Sequence, residues 1–327
     1  MRTTTGRWTA FACVALAGFA SAARAEVYPS RPITVIVPFA AGGPTDSLMR
    51  VLAEPMRAAL GQPLIIENVT GATGSLGVAR VVQAAPDGYT VSIGNTATHV
   101  INGAVFNLKY DLINDLEPVV LLPRTPFLLD ARTSIPAKSL QEFVAWAKSA
   151  GKPLVAGTPG VGSIPHVAGI LFGELTGVRL SFVPYRGAAP AMQDLIAGQI
   201  DMMFDQAWNS LAQVRAGTVR AYAVTAPARI ASAPDIPTVD EAGLPSLHAT
   251  IWNGFWVPKG TSREIVAKLA GAATDALADP MVRQRLGDLG LEIPPRDQQT
   301  GEALAALQKA DAAKWWPVIN AAHLKME

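Results

Sequence analysis

Cysteine is almost missing from this chain. The single Cys13 lies inside an apolar N-terminal run, so no disulfide framework and no thiol metal site can be drawn. The four histidines lie far apart, with no His-x-x-x-His pair to hold zinc. No Gly-x-Ser-x-Gly elbow exists, since Ser75 has Thr73 two residues before it. Gly71, Gly74 and Gly77 lack the spacing of a dinucleotide fingerprint, and no glycine loop carries the lysine of a P-loop. No catalytic residue, metal or cofactor is therefore assigned. Charge is also sparse: 27 Lys and Arg stand against 26 Asp and Glu, a formal net charge of +1. That balance excludes the basic stripe of a nucleic-acid binder and the polybasic segment of a membrane-surface protein. The longest apolar run, Trp8 to Ala20, is shorter than the ~20 residues a membrane span needs.

That run has a different meaning. Arg2 and Arg7 precede it and Ala23-Arg24-Ala25 follows it, the order of a secretory signal cleaved after Ala25. Residues 1–25 are thus read as a signal peptide and the mature chain as periplasmic. Cleavage removes the only cysteine and three arginines but no acid, so the formal charge falls from +1 to −2. About 300 residues remain, more than one core usually serves, which predicts two lobes.

Two strand–glycine–helix units open the mature chain. Ile33 to Val37 runs into Pro38-Phe39-Ala40-Ala41-Gly42-Gly43-Pro44-Thr45-Asp46 and a helix pattern; Leu64 to Glu67 runs through Gly71-Ala72-Thr73-Gly74-Ser75 into another. Glycine lets the backbone approach a ligand closely, and a helix N-terminus offers unpaired N–H groups and partial positive charge. Such loops, without Lys or Arg, suit a modest anion such as a carboxylate. Short strands alternate with helix patterns throughout, which predicts mostly parallel sheets flanked by helices. Extended segments at 117–130 and 251–257 are placed to cross between lobes, giving lobe one as 26–125 with 251–327 and lobe two as 126–250. Capping boxes at Ser139 to Glu142 and Thr238 to Glu241 each predict a helix start, the second of them brief.

The ordered set of motifs resembles the substrate-binding proteins of tripartite tricarboxylate transporters, also called Bug receptors. The matching stretches are Tyr28 to Ile33, Pro38 to Asp46, Gly71 to Gly77, Pro86 to Thr90, Gly160 to Ser163 with His166, Val183 to Gly187, and Pro234 to Pro245. Val69-Thr70 stands where an Arg-Pro pair is common in that family. The resemblance implies an α/β two-lobe periplasmic binding protein fold with two crossover strands. It implies a receptor that is not an enzyme, works as a monomer, and hands a small organic carboxylate to integral membrane permease subunits. A sensor feeding a signalling partner is the alternative.

The same resemblance implies that the first two loops, through Phe39, Ala41, Gly42, Gly43, Thr73, Gly74 and Ser75, hold the carboxylate by backbone amides and ordered water. Asp46 reads as structural, because an acid would repel such a ligand. Asn95 and Thr96 follow the third strand at the mouth where α/β sheets place ligands. In lobe two, Ser163 reads as a helix cap whose geometry turns the amides of Gly162 and Ser163 to the cleft. His166 either meets the ligand or bonds locally. Asp205 either takes a ligand donor or fixes its own loop, and Trp208 either stacks on a ligand or packs. Trp252, Trp256, Trp315 and Trp316 read as core and interlobe packing.

Overall fold

A computed structural model describes residues 28–325 apart from Arg186. The signal-like segment 1–25 lies outside the described residues. The first sheet is built from β1 (Ile33–Val37), β2 (Leu64–Asn68) and β3 (Thr90–Asn95), with helices α1 (Pro44–Leu60) and α2 (Ser75–Val82) between them. A π-helical turn, Ala97–Ile101, runs into α3 (Asn102–Val105). Then the chain extends without interruption as β4 (Leu116–Arg132). The second sheet follows as α4 (Leu140–Ser149), β5 (Leu154–Thr158), α5 (Ile164–Thr176), β6 (Leu180–Pro184), α6 (Ala188–Ile196), β7 (Met202–Gln206), α7 (Ala207–Arg215) and β8 (Val219–Val224). β9 (Thr250–Pro258) returns to the first sheet, and α8 (Arg263–Ala278), α9 (Pro280–Asp288) and α10 (Gly301–Ala321) complete the chain.

In each sheet three strands run parallel, β2-β1-β3 and β6-β5-β7, and every antiparallel pairing involves β4 or β9. β4 joins the two sheets. It pairs with β9 from Leu116 to Pro126, and from Phe127 onward with β7. The molecule therefore has two lobes connected by crossover strands.

The buried pattern follows the sequence. Ile33, Val35, Ile36 and Val37 of β1 are inaccessible, as an interior parallel strand covered on both faces requires. Leu48, Met49, Leu52 and Met56 of α1 pack in one cluster with Leu269, Ala273 and Leu277 of α8. Trp252 and Trp256 of β9 are buried against α10, whose own Trp315 is buried too, and His99 stacks on Trp256 with centroids 3.7 Å apart. Ser139 caps α4 by accepting from the Glu142 amide. At Thr238 the reciprocal box also forms, with Glu241 N donating to Thr238 Oγ1 and Thr238 N to Glu241 Oε2, but only turns follow it. The expected brief helix is absent there because Leu244 N bonds back to Val239 O, which closes a tight turn before Pro245. Among the described residues no helix is long and apolar enough to cross a membrane.

Candidate functional site

The loop after β1 is closed by one acid. Asp46, fully buried, accepts from Gly42 N at 2.8 Å, Arg50 Nε at 2.8 Å and Asn68 Nδ2 at 3.0 Å. Burial alone would raise its pKa, but the bonds from Arg50, Gly42 and Asn68 outweigh that and hold it below the usual value. Asn68 also donates to Phe39 O at 2.9 Å, so β2 fixes the first loop from the side. Gly42 takes φ +81°, which glycine adopts freely. Phe39 is half-buried here, Gly43 likewise, while Ala41 and Gly42 are exposed. The structural reading of Asp46 agrees with this geometry.

The second loop carries backbone strain. Gly71, Ala72, Thr73 and Gly74 have φ of +121°, +45°, +51° and +89° in succession. Two of these are not glycine, and left-handed conformations of that kind cost about 1–3 kcal/mol each and cluster at ligand sites. Asn102 supports the turn, donating through Nδ2 to Thr73 O and Ser75 Oγ, both at 3.0 Å. Tyr110 adds a bond to Ser75 O at 3.0 Å. Neither Asn102 nor Tyr110 stood out in the sequence, because each lies 27 or more positions from its partner.

Asn95 and Thr96 end β3 facing inward. Asn95 Oδ1 accepts from Ala97 N and Thr98 N, and its Nδ2 approaches Thr45 Oγ1 at 3.4 Å. Thr96 donates to Thr250 O and accepts from Trp252 N, binding the end of β3 to crossover strand β9.

In the second lobe, Ser163 caps α5 by accepting from His166 N and donates to Gly160 O at 2.7 Å. Gly162 N donates 3.0 Å to Nδ1 of the buried His166. Asp205, at the end of β7, is buried. Its carboxylate accepts from Gln206 N and Asn209 Nδ2. Burial pushes its pKa up to about 6 against those bonds. Behind it lies Asp130 of β4, bonded to Ser210 and raised well above the usual carboxylate value by burial.

Two cavities lie where residues of both sheets meet. One, of about 330 Å³, is lined by Thr73, Asn102, Phe127, Gly160 to Pro165, Gln206 and Ile251, among others. It brings together Thr73, Gly162 and Ser163 of the expected set. None of its lining residues is charged. The other, of about 240 Å³, is lined by Gly42, Pro44, Ser47, Thr125, Trp208 and Leu289 among others. Phe39, Ala41, Gly43, Gly74, Ser75, Asn95, Thr96, His166 and Asp205 line neither cavity. Several of them instead shape the turns that do.

A two-lobe α/β chain with crossover strands, and between its sheets a cavity lined by no charged residue, has the architecture of a solute-binding protein. The amides of Gly162 and Ser163, expected to face the cleft, are instead bonded to His166 Nδ1 and Gly160 O within their own turn. The chain belongs to the tripartite tricarboxylate transporter family receptors, whose pattern it matches over residues 48–324. It is similar to MatC from Rhodopseudomonas palustris, solved with bound malate: 41% identity, covering 89% of this chain and 100% of that one, TM-score 0.74. A second R. palustris protein, solved with adipate, is 31% identical over 90% of this chain and 98% of its own, TM-score 0.75. Protein BugT of Bordetella pertussis is 30% identical across 96% of both chains.

Proposed function

We propose that this protein is an extracytoplasmic receptor that captures a small organic carboxylate in the interlobe cleft and delivers it to a tripartite tricarboxylate-type permease. One observation carries the reading: the larger cleft cavity has no charged lining residue, so its donors are backbone amides, hydroxyls and the side-chain amide of Gln206. Donors of this kind favour a carboxylate over a neutral amide, because a charge-assisted bond is roughly twice as strong as a neutral one. The relatives with malate and adipate support an aliphatic diacid as the first ligand to test. Export by the segment 1–25 puts the receptor in the periplasm, and the change of β4 partner at Phe127 supports lobes of 26–125 with 251–327, and 126–250. Closure of the lobes about β4 and β9 would bring the two glycine turns of lobe one toward the Gly162–Ser163 turn.

The test is a melting screen of organic acids beside their amides and esters. At 100-fold excess over its dissociation constant a true ligand stabilises the fold by about 2.7 kcal/mol, a shift of roughly 5 °C for a chain this size. Malate, adipate or a related acid should give that shift and its amide should not. An amide equal to its acid, or hits confined to sugars and cations, would overturn the reading.

A further inference from the structure

The turns that open α1 and α5 share one plan and differ in one chemical respect. Gly42, at φ +81°, precedes the cap Gly43, and its N–H is taken by Asp46, the third helical residue. Gly162, at φ +75°, precedes the cap Ser163, and its N–H is taken by His166, again the third helical residue. The caps match closely, with φ −73° and ψ 169° at Gly43 against φ −68° and ψ 158° at Ser163. A carboxylate accepts this bond at any pH above the acid range. An imidazole nitrogen accepts it only while it carries no proton.

We propose that His166 is a positioning residue: as a neutral acceptor at Nδ1 it fixes the Gly162–Ser163 turn, and its protonation releases that turn and weakens ligand binding. The inference rests on the cleft reading above for its ligand, not for its geometry. His166 is 5% exposed, and its ring meets Phe182 edge-on with centroids 4.5 Å apart at 85°. Ser163 Oγ closes the same unit, reaching Thr158 Oγ1, Gly160 O and His166 N. With Nδ1 accepting, the ring proton sits on Nε2, and a proton placed on Nδ1 would face the Gly162 N–H, donor against donor. Gly162 and Ser163 both line the cavity, so a shift of the turn is felt by its occupant.

Burial is the only cause that moves the ring's pKa, and it moves it down. α5 packs against β5, β6, β7 and α10. The titratable residues on these elements and on α5 itself are Asp205, Glu302, Lys309, Asp311, Lys314 and Glu174, and none of them shifts the ring. A lowered folded-state value means that the turn is intact above the free imidazole range. Its stabilisation declines as pH falls below that range, and the turn is released as pH passes below the lowered folded-state value.

The experiment compares wild type with His166→Asn, whose side-chain oxygen accepts without titrating, and with His166→Leu, which cannot accept. Imidazole nitrogen NMR and amide exchange at Gly162, corrected for intrinsic pH dependence, need no ligand. Near neutral pH, Nδ1 should be unprotonated, and Gly162 should exchange about five- to tenfold faster in His166→Leu than in wild type or His166→Asn. Acidification below the lowered folded-state value should speed exchange in wild type but not in His166→Asn, and should weaken malate binding more in wild type than in His166→Asn, whose remaining pH dependence reports malate's own carboxyls and Asp205. A protonated Nδ1 at neutral pH, unchanged Gly162 exchange in His166→Leu, or the same pH dependence of malate affinity in wild type and His166→Asn would overturn the proposal. Should malate not bind wild type at all, the ligand reading loses its first candidate, and exchange at Gly162 decides the positioning role alone.

Discussion

Gly74 lies so close to Pro38 that a β-carbon on it would stand 2.9 Å from the Pro38 carbonyl oxygen and 3.1 Å from Pro38 Cβ. The second glycine turn is thus seated on the first residue of the first loop, and the two form one surface. Thr98 closes the other side, 2.7 Å from the same point. With φ at +89° as well, Gly74→Ala should cost about 2–4 kcal/mol in urea unfolding. Gly43, at φ −73° with Ala40 O 3.3 Å from its added carbon, should tolerate alanine at about 1 kcal/mol or less. Equal losses in the two variants would mean the loops are not stacked in this way.

Asp46 has the opposite character. Asp46→Ala strips the acceptor from Gly42 N and Asn68 Nδ2, one exposed and one half-buried, and should lower stability by about 2 kcal/mol. The Arg50 partner contributes little of that, since its side chain is 54% exposed. Ligand affinity should fall further than stability, because Gly42 is freed to swing. Calorimetric titration beside denaturation measures both, and an affinity that survives would remove the first loop from the site.

Thr96→Val should loosen the join between the end of β3 and crossover strand β9. The substitution keeps the shape but leaves the buried Trp252 amide and Thr250 carbonyl without their hydroxyl partner, at about 1–3 kcal/mol. Small-angle scattering with and without ligand would report whether closure changes with it.

The buried acids make stability depend on pH in an unusual direction. Asp205 has its pKa raised from 3.8 to about 6, so the folded chain binds this proton more tightly than the unfolded one. Its contribution is complete below the unfolded value and is lost as pH climbs through about 6, a loss of about 3 kcal/mol by neutrality. Asp205→Asn should flatten this part of the stability–pH curve. A variant with the wild-type slope would show that Asp205 is solvated in the molecule.

Much of this arrangement was readable from residues close together in the chain. The alternation of strands and helices follows from local pattern, and the Ser163 cap and the structural part of Asp46 are set within five positions, where local geometry decides. What escaped reading depends on pairs brought together by folding. Asn68 reaches Phe39, Asn102 reaches Thr73, and Asp130 meets Ser210 across 80 positions. Thr96 follows β3 as its position suggested, but that its hydroxyl is bound to β9 is fixed only by the crossover. The capping box at Thr238 shows the same limit, since its bonds form while the next residues turn away.

The crossover has a further consequence, for the order in which the molecule can be made. Ser92 of β3 pairs with Trp256 and Leu116 of β4 with Pro258, whereas the strand pairings of the second sheet lie between Phe127 and Val224, with one bridge reaching on to Thr238. A chain emerging from its N-terminus can therefore finish its second sheet while β1, β2 and β3 are still waiting for their last neighbour. During that interval β3 presents an open edge, the kind that recruits foreign strands. A chain ended before Thr250 is expected to keep the second sheet protected in hydrogen exchange while its first three strands self-associate. Emergence of nine residues, Thr250–Pro258, ends that exposure.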